Sequence, residues 1–95
     1  MESQDSSRIA IKKIILDALK PRDLDLRELS SRICSLDGVN EVEIEVREVD
    51  AKTETIKIIV RGEDICYDEV QEELSELGVA VRSLDGIVVF KRPES

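Results

Sequence analysis

Histidine and tryptophan are absent from the 95-residue chain. Without an imidazole, one chain cannot form a Ser-His or Cys-His catalytic pair, so we do not expect an enzyme. Cys34 and Cys66 form no CxxC motif, which excludes the usual structural zinc site; we expect Cys34 to pack in the core and Cys66 to begin a helix. The only aromatic residues are Tyr67 and Phe90, too few for a surface that stacks nucleic-acid bases.

Long apolar runs are missing as well. No stretch reaches the ~18 apolar residues of a membrane span, and the N-terminal MESQDSSR lacks the apolar core of a signal peptide. We therefore expect a cytoplasmic protein with free thiols. Acidic residues outnumber basic ones by 22 to 14, and the basic clusters are no larger than pairs. A chain with a net charge of −8 is poorly suited to nucleic acid or to an anionic membrane.

Six segments show the periodicity of regular secondary structure, and the first three are a strand, a helix and a strand. Residues 8–20 are rich in isoleucine, end before Pro21 and are apolar on both faces, which favours a central strand over a helix. Residues 24–36 carry an apolar stripe at helical spacing, with Asp25 as the N-cap. Residues 39–49 alternate between apolar and mainly acidic side chains, as is typical of a half-buried edge strand.

The second half of the chain repeats this order as strand, helix, strand. Residues 55–61 alternate again and form a hairpin with the preceding strand. A second helix is predicted over residues 67–77 because Val70, Leu74 and Leu77 form a stripe. The last strand is predicted over residues 79–91, with a bulge or bend at Ser83-Leu84-Asp85-Gly86.

The element order predicts an α+β, ferredoxin-like βαββαβ fold: a four-stranded antiparallel sheet with two helices on one face. The first and third strands are then central, since both crossovers are right-handed. We expect one domain over residues 8–91, a disordered N-terminal tail over residues 1–7 and a C-terminal tail over residues 92–95. The strands over residues 39–49 and 55–61 are predicted to contribute these side chains to the core: Val42, Ile44, Val46, Ile56, Ile58 and Val60.

Three stretches of the sequence resemble a known family: IILDALKP (14–21), LDGVNEVEIEVREVDAKTETIKIIVRG (36–62) and LGVAVRSLDGIVV (77–89). Together they are similar to the archaeal domain of unknown function 211 family, over about residues 8–91. The resemblance implies a ferredoxin-like fold and closed homo-oligomers, and it implies no established activity. It also implies that a histidine tends to stand at the position of Arg82.

Acidic side chains are the candidate ligand residues. Asp17 lies in an otherwise apolar strand, where it is expected to lie at a subunit contact and either bind a cation or pair with Lys57 or Arg61. The alternative is an ordinary salt bridge or a solvated strand end. Carboxylate oxygens suit Ca²⁺ or Mg²⁺, although no EF-hand spacing is present. The alternative is a charged edge strand and turn, with Glu43 or Glu45 paired to the same cations. The predicted metal ligands are Asp17, Glu43, Glu45, Asp50 and Asp85.

The sheet face without helices is the candidate interaction surface, because an uncovered apolar face predicts a partner. We expect this interface to contain Ile9, Ile11, Ile15, Leu19 and Ile59. The predicted function is a non-enzymatic, homo-oligomeric module that binds a divalent cation or a small ligand at subunit contacts. The alternative is an adaptor that docks another protein on this face or on an edge strand.

Overall fold

The isoleucine-rich segment forms a central strand, β1 (Ile9–Pro21), of a four-stranded antiparallel sheet. The computed structural model describes residues 8–93. The other elements are α1 (Leu26–Cys34), β2 (Val39–Val49), β3 (Thr53–Gly62), α2 (Tyr67–Glu76) and β4 (Ala80–Lys91). The strand order is β2-β3-β1-β4, which confirms the predicted ferredoxin-like fold. The predicted tail over residues 1–7 lies outside the described residues, as do the last two residues of the chain.

The core lies between the helices and one face of β1 and β3. Its fully buried side chains come from alternate strand residues and from the two helix stripes: Ile14, Leu16, Ala18, Leu29, Ile33, Ile56, Ile58, Val60, Val70 and Leu74. Burying a side chain of the Val, Leu or Ile type contributes roughly 1.5–3 kcal/mol relative to leaving it exposed. Neither helix within residues 8–93 is long and apolar enough to cross a membrane.

The helices are too short to cover the whole sheet. The nine residues of α1 span about 13 Å, whereas the eleven residues of β2 span roughly 37 Å. Val42 and Ile44 pack partly buried against the core, but Val46 is 39% exposed. The prediction that Val46 belongs to the core is therefore wrong, because no helix reaches that end of β2.

A β-bulge in β1 changes which residues share a face. Ile11 lies opposite Val89 and Lys13 lies opposite Val88, so Lys12 is an extra residue in β1. Because of this extra residue, Ile11 packs against the helix-covered core, while Ile15 remains on the other face. The expectation that Ile11 and Ile15 lie on one uncovered face is therefore wrong.

The predicted bend near the end of the chain is confirmed. The pairing of β4 with β1 shifts at Arg82 and again at Asp85, which places two bulges in β4. Gly86 does not have a positive φ, since the only positive-φ glycines of the described residues are Gly38 and Gly78. Gly86 instead provides space: a Cβ there would lie 2.9 Å from Ile15 Cδ1.

Neither cysteine is buried. Cys34 is exposed because it follows the buried Ile33 by one residue, a rotation of about 100° around α1. The prediction that Cys34 fills the core is therefore wrong. Cys66 is the N-cap of α2, as predicted, and is exposed; its side chain makes no capping hydrogen bond.

Asp25 caps α1 as predicted and is the source of a pH-dependent contribution to stability. Its Oδ1 accepts a hydrogen bond from the Arg27 backbone N–H at 2.9 Å, and its Oδ2 accepts one from the Arg27 guanidinium at 3.2 Å. The backbone bond, followed by the guanidinium bond, holds the pKa of Asp25 below its ordinary value of 3.8. A lowered folded-state pKa means that this stabilisation is present above the unfolded pKa and is lost as the pH falls through the folded value.

We expect the substitution Asp25→Asn to reduce the loss of stability in acid. Asparagine is also a good N-cap but does not titrate, so the cap persists while its pH dependence disappears. Urea midpoints measured at neutral pH and below the lowered pKa test this. An equal acid-induced decrease in both proteins would show that the Asp25 cap does not contribute to the pH dependence.

Candidate functional site

The sheet face opposite the helices, here called the open face, carries mainly charged residues around a short apolar centre. Ile15 of β1 lies directly opposite Ile59 of β3, and Ile59 in turn lies opposite Glu43 of β2. Ile59 is only 7% exposed, although no helix covers it. Leu19 lies further along β1, opposite Thr55. The open face is therefore less apolar than the sequence predicted.

The remaining predicted interface residue, Ile9, is 42% exposed and lies at the far end of β1, opposite Lys91. It precedes the bulge at Lys12 and is separated from Ile15 by that irregularity. Because Ile11 packs against the core, the five predicted residues do not form one continuous surface.

A groove of about 660 Å³ crosses the open face at the end near the β2–β3 hairpin. Small-molecule sites typically have volumes of about 300–1,000 Å³. The groove is lined by Ile15, Leu16, Asp17, Arg47, Glu48, Thr55, Lys57 and Asp85. Three carboxylates and two cations therefore surround a small apolar surface.

Asp17 is positioned at the centre of this groove by its strand register. It lies opposite Lys57 on one side and opposite Ser83 on the other. Its Oδ2 lies 3.4 Å from Arg82 Nε, rather than within ion-pair distance of Lys57 or Arg61 as was expected. Both members of the pair are partly exposed, so the pair is worth no more than about 1 kcal/mol.

Asp85 is held by a local hydrogen bond. The Ser83 hydroxyl donates to Asp85 Oδ1 at 2.7 Å, within the twice-bulged part of β4. This contact orients one carboxylate oxygen, and the carboxylate can still accept further hydrogen bonds from a ligand.

Lys57 provides a cation that is not already paired. It lies opposite Asp17 on β1 and opposite Glu45 on β2. Even so, no carboxylate among residues 8–93 forms an ion pair with its ammonium group, and the Lys57 side chain lines the groove. An anionic group of a ligand can therefore bind Lys57 without first displacing a protein carboxylate.

The five predicted metal ligands are not brought together. Asp17 and Asp85 line the groove, whereas Glu43 accepts a hydrogen bond from Arg61 at 3.3 Å. Glu45 Oε1 lies 4.0 Å from a guanidinium nitrogen of Arg47, and Asp50 lies in the turn of the β2–β3 hairpin. The Glu43–Arg61 contact confirms the expected pairing across the hairpin. Among the side chains that the structure describes, no group of three or more Asp, Glu, Cys or His residues could hold a metal ion.

Sequence reasoning missed two cations of this site, Arg47 and Arg82. Each is an extra residue at a register shift, Arg47 in β2 and Arg82 in β4. A bulge changes the direction of side chains that strict alternation would otherwise assign. The acid-rich alternation of β2 alone carries no signal for such a shift.

Comparison with known proteins gives the family and no activity. Residues 12–92 match the family model of domain of unknown function 211, described as "Uncharacterized ArCR". An uncharacterized protein of Methanocaldococcus jannaschii is 34% identical over 82 residues, which cover 86% of this chain and 84% of that protein. The match spans β1 to β4 and therefore includes the groove. The chain belongs to the archaeal domain of unknown function 211 family.

Proposed function

We propose that the protein is a non-enzymatic, self-associating module that binds a small zwitterionic ligand, of the amino-acid type, in the groove of its open face. The observation that carries this proposal is the mixed charge of the groove. Lys57, which forms no ion pair within residues 8–93, lies opposite Asp17 and lines the groove together with Asp85 and the apolar side chain of Ile15.

The charges suit a ligand that carries an anion and a cation a few ångströms apart. The Lys57 ammonium would bind the ligand carboxylate, and Asp17 and Asp85 would accept hydrogen bonds from its ammonium group. Ile15 would contact an apolar side chain of the ligand. A divalent cation is the second candidate ligand: Asp17, Glu48 and Asp85 line the same groove and supply hard oxygen donors. Since they are not grouped closely enough within one copy to hold a metal ion, a second copy would have to complete such a site.

Self-association would complete the site. The groove is open to solvent along the open face, where Leu19 and Ile15 are partly exposed. A second copy on this face would cover these side chains and exclude water from the ligand, which strengthens each charge contact.

Thermal melts with a panel of amino acids, Ca²⁺ and Mg²⁺ test the ligand. A ligand at 100 times its dissociation constant adds about 2.7 kcal/mol, which is a rise in Tm of roughly 10–20 °C for a domain of this size. We expect an amino acid to produce the shift and Lys57→Met to abolish it. Lys52→Met is the matched control, because Lys52 is exposed in the hairpin and does not line the groove.

Three results would contradict parts of the proposal. An unchanged amino-acid shift in Lys57→Met would place the ligand outside the groove. A rise in Tm with Ca²⁺ or Mg²⁺ but with no amino acid, lost in Asp17→Asn, would show that the ligand is a divalent cation and not a zwitterion. A monomer in light scattering at micromolar concentration would contradict self-association. It would favour the alternative function, an adaptor that docks another protein on the open face or on an edge strand.

A further inference from the structure

A second cavity lies at the other end of the open face, away from the groove. It has a volume of about 420 Å³, within the range of small-molecule sites, and its lining includes Lys12, Lys13 and Arg61. Lys13 lies directly opposite Arg61 on β3 and two residues before Ile15, so both side chains are on the open face. Asp17 follows Lys13 by four residues, which separates this cavity from the centre of the groove by roughly 13 Å along β1.

Two β-bulges bring side chains into this cavity that regular strands would direct elsewhere. Consecutive residues of a regular strand point to opposite faces, so Lys12 and Lys13 would not normally share a site. Lys12 is the extra residue of the bulge in β1, and both lysines line the cavity. Asn40 is likewise an extra residue in β2, at the shift between Val39 and Glu41, and it also lines the cavity. The two irregularities therefore concentrate hydrogen-bond donors at one end of the open face.

Lys12 and Lys13 carry charge that the described part of the chain does not neutralise. No carboxylate within residues 8–93 lies within 4.0 Å of either ammonium group. The Lys12 ammonium lies 5.8 Å from the centre of the Phe90 ring, a cation–π contact that orients the charge without cancelling it. Lys13 is half-buried and directly opposite Arg61, and like charges that face each other across two strands are destabilising. An anion bound beside them removes this repulsion.

The acidic side chains near the cavity leave the two lysines available. Arg61 Nη1 lies 2.9 Å from Glu41 Oε2 and 3.3 Å from Glu43 Oε1, so Arg61 holds both carboxylates. Glu63 lines the cavity and is exposed, and its charge opposes the binding of an anion. The net charge of −8 acts weakly over longer distances, because the Debye length is about 8 Å at physiological ionic strength. The local balance is therefore that of two ammonium groups against Glu63.

We propose that this cavity binds a dianionic phosphate group, either free or carried by a small organic molecule. The ammonium groups of Lys12 and Lys13 donate hydrogen bonds to its oxygens, and their two charges match that of the dianion. The Asn40 amide supplies two further donors. Val88 lies opposite Lys13, lines the cavity and is 44% exposed, so it offers an apolar surface to an organic substituent. This inference goes beyond the proposed function, because the ligand is not a zwitterion and the site lies outside the groove.

Isothermal titration calorimetry at constant ionic strength tests the site, with inorganic phosphate and phenyl phosphate as the probes. We expect saturable binding that is weakened about tenfold or more in Lys12→Met and in Lys13→Met, because each substitution removes a charge-assisted hydrogen bond. Lys52→Met is the matched control and is expected to bind like the wild type. It removes the same charge from an exposed residue of the hairpin, which does not line the cavity.

Glu63→Gln tests the same charges in the opposite direction. Removal of this carboxylate is expected to tighten phosphate binding several-fold, a gain that a misfolded protein cannot produce. The two probes distinguish the sources of the phosphate group. Tighter binding of phenyl phosphate, with the difference lost in Val88→Ser, indicates an organic phosphate, whereas equal binding of the two probes indicates free phosphate.

Three results would overturn the phosphate site. The first is the absence of saturable binding of either probe at millimolar concentration. The second is binding that stays unchanged in both Lys12→Met and Lys13→Met. The third is binding that is lost in Lys57→Met instead, which would place the anion in the groove. The rise in Tm that an amino acid produces is expected to persist in Lys13→Met, so the cavity and the groove are tested separately.

Discussion

Replacing Lys20 by methionine is expected to lower the free energy of unfolding by about 3–5 kcal/mol, the usual cost of breaking a buried ion pair from one side. Lys20 is 1% exposed, the most buried charged residue of those that the structure describes. Its Nζ donates to Leu24 O at 2.7 Å and to Pro21 O at 2.8 Å, and lies 2.9 Å from Glu54 Oε1. Methionine keeps much of the packing volume but leaves these three acceptors without their donor.

Urea unfolding measures the effect, with Lys52→Met as the control because Lys52 is exposed. The double variant Lys20→Met/Glu54→Gln is expected to recover part of the loss, since it removes the buried unpaired carboxylate. A decrease of less than about 1 kcal/mol in Lys20→Met would show that water replaces the ammonium group at these oxygens.

Gly62→Ala is expected to be nearly as damaging, at about 3 kcal/mol, because it inserts a methyl group between two backbone segments. A Cβ on Gly62 would lie 1.9 Å from Gly38 O and 2.9 Å from Gly38 C. Gly38 O is already held by the N–H groups of Glu63 and Asp64, and Gly38 itself has a φ of +86°. Relief of the clash must therefore separate β2 from the end of β3.

The matched comparison is Gly86→Ala, where the nearest atom to the new Cβ is the end of the Ile15 side chain. A side chain can change rotamer, so the cost there is expected to be about 1 kcal/mol. Thermal melts measure both variants, and Gly62→Ala should lower Tm by roughly 10–25 °C. Equal decreases in the two variants would show that backbone contact at Gly62 is not the cause.

The secondary structure could be predicted because its signals are local. The Asp25 cap and the alternation of β2 each depend on residues a few positions apart. The strand over residues 39–49 was predicted with the bounds that the structure shows, and the other elements differ by no more than two residues at either end. The connection rules of split βαβ units then give the strand order.

The groove could be predicted only in part. Asp17 was identified because an acid is unusual in an apolar strand, and Asp85 was identified as a candidate oxygen ligand; both line the groove. Arg82 was missed as the partner of Asp17, because that contact depends on how β4 shifts against β1. The burial of Lys20 was also missed, since a charged side chain in a strand is normally exposed.

The sequence by itself determined the element order, the caps and the apolar residues of the two central strands, because each is specified by short-range spacing and side-chain chemistry. Only the tertiary structure decided which face each residue occupies beyond a bulge. The extra residue at Lys12 places Ile11 in the core. The exposure of β4 was likewise decided only by the tertiary structure, because helices of about 15 Å cannot cover strands of roughly 40 Å.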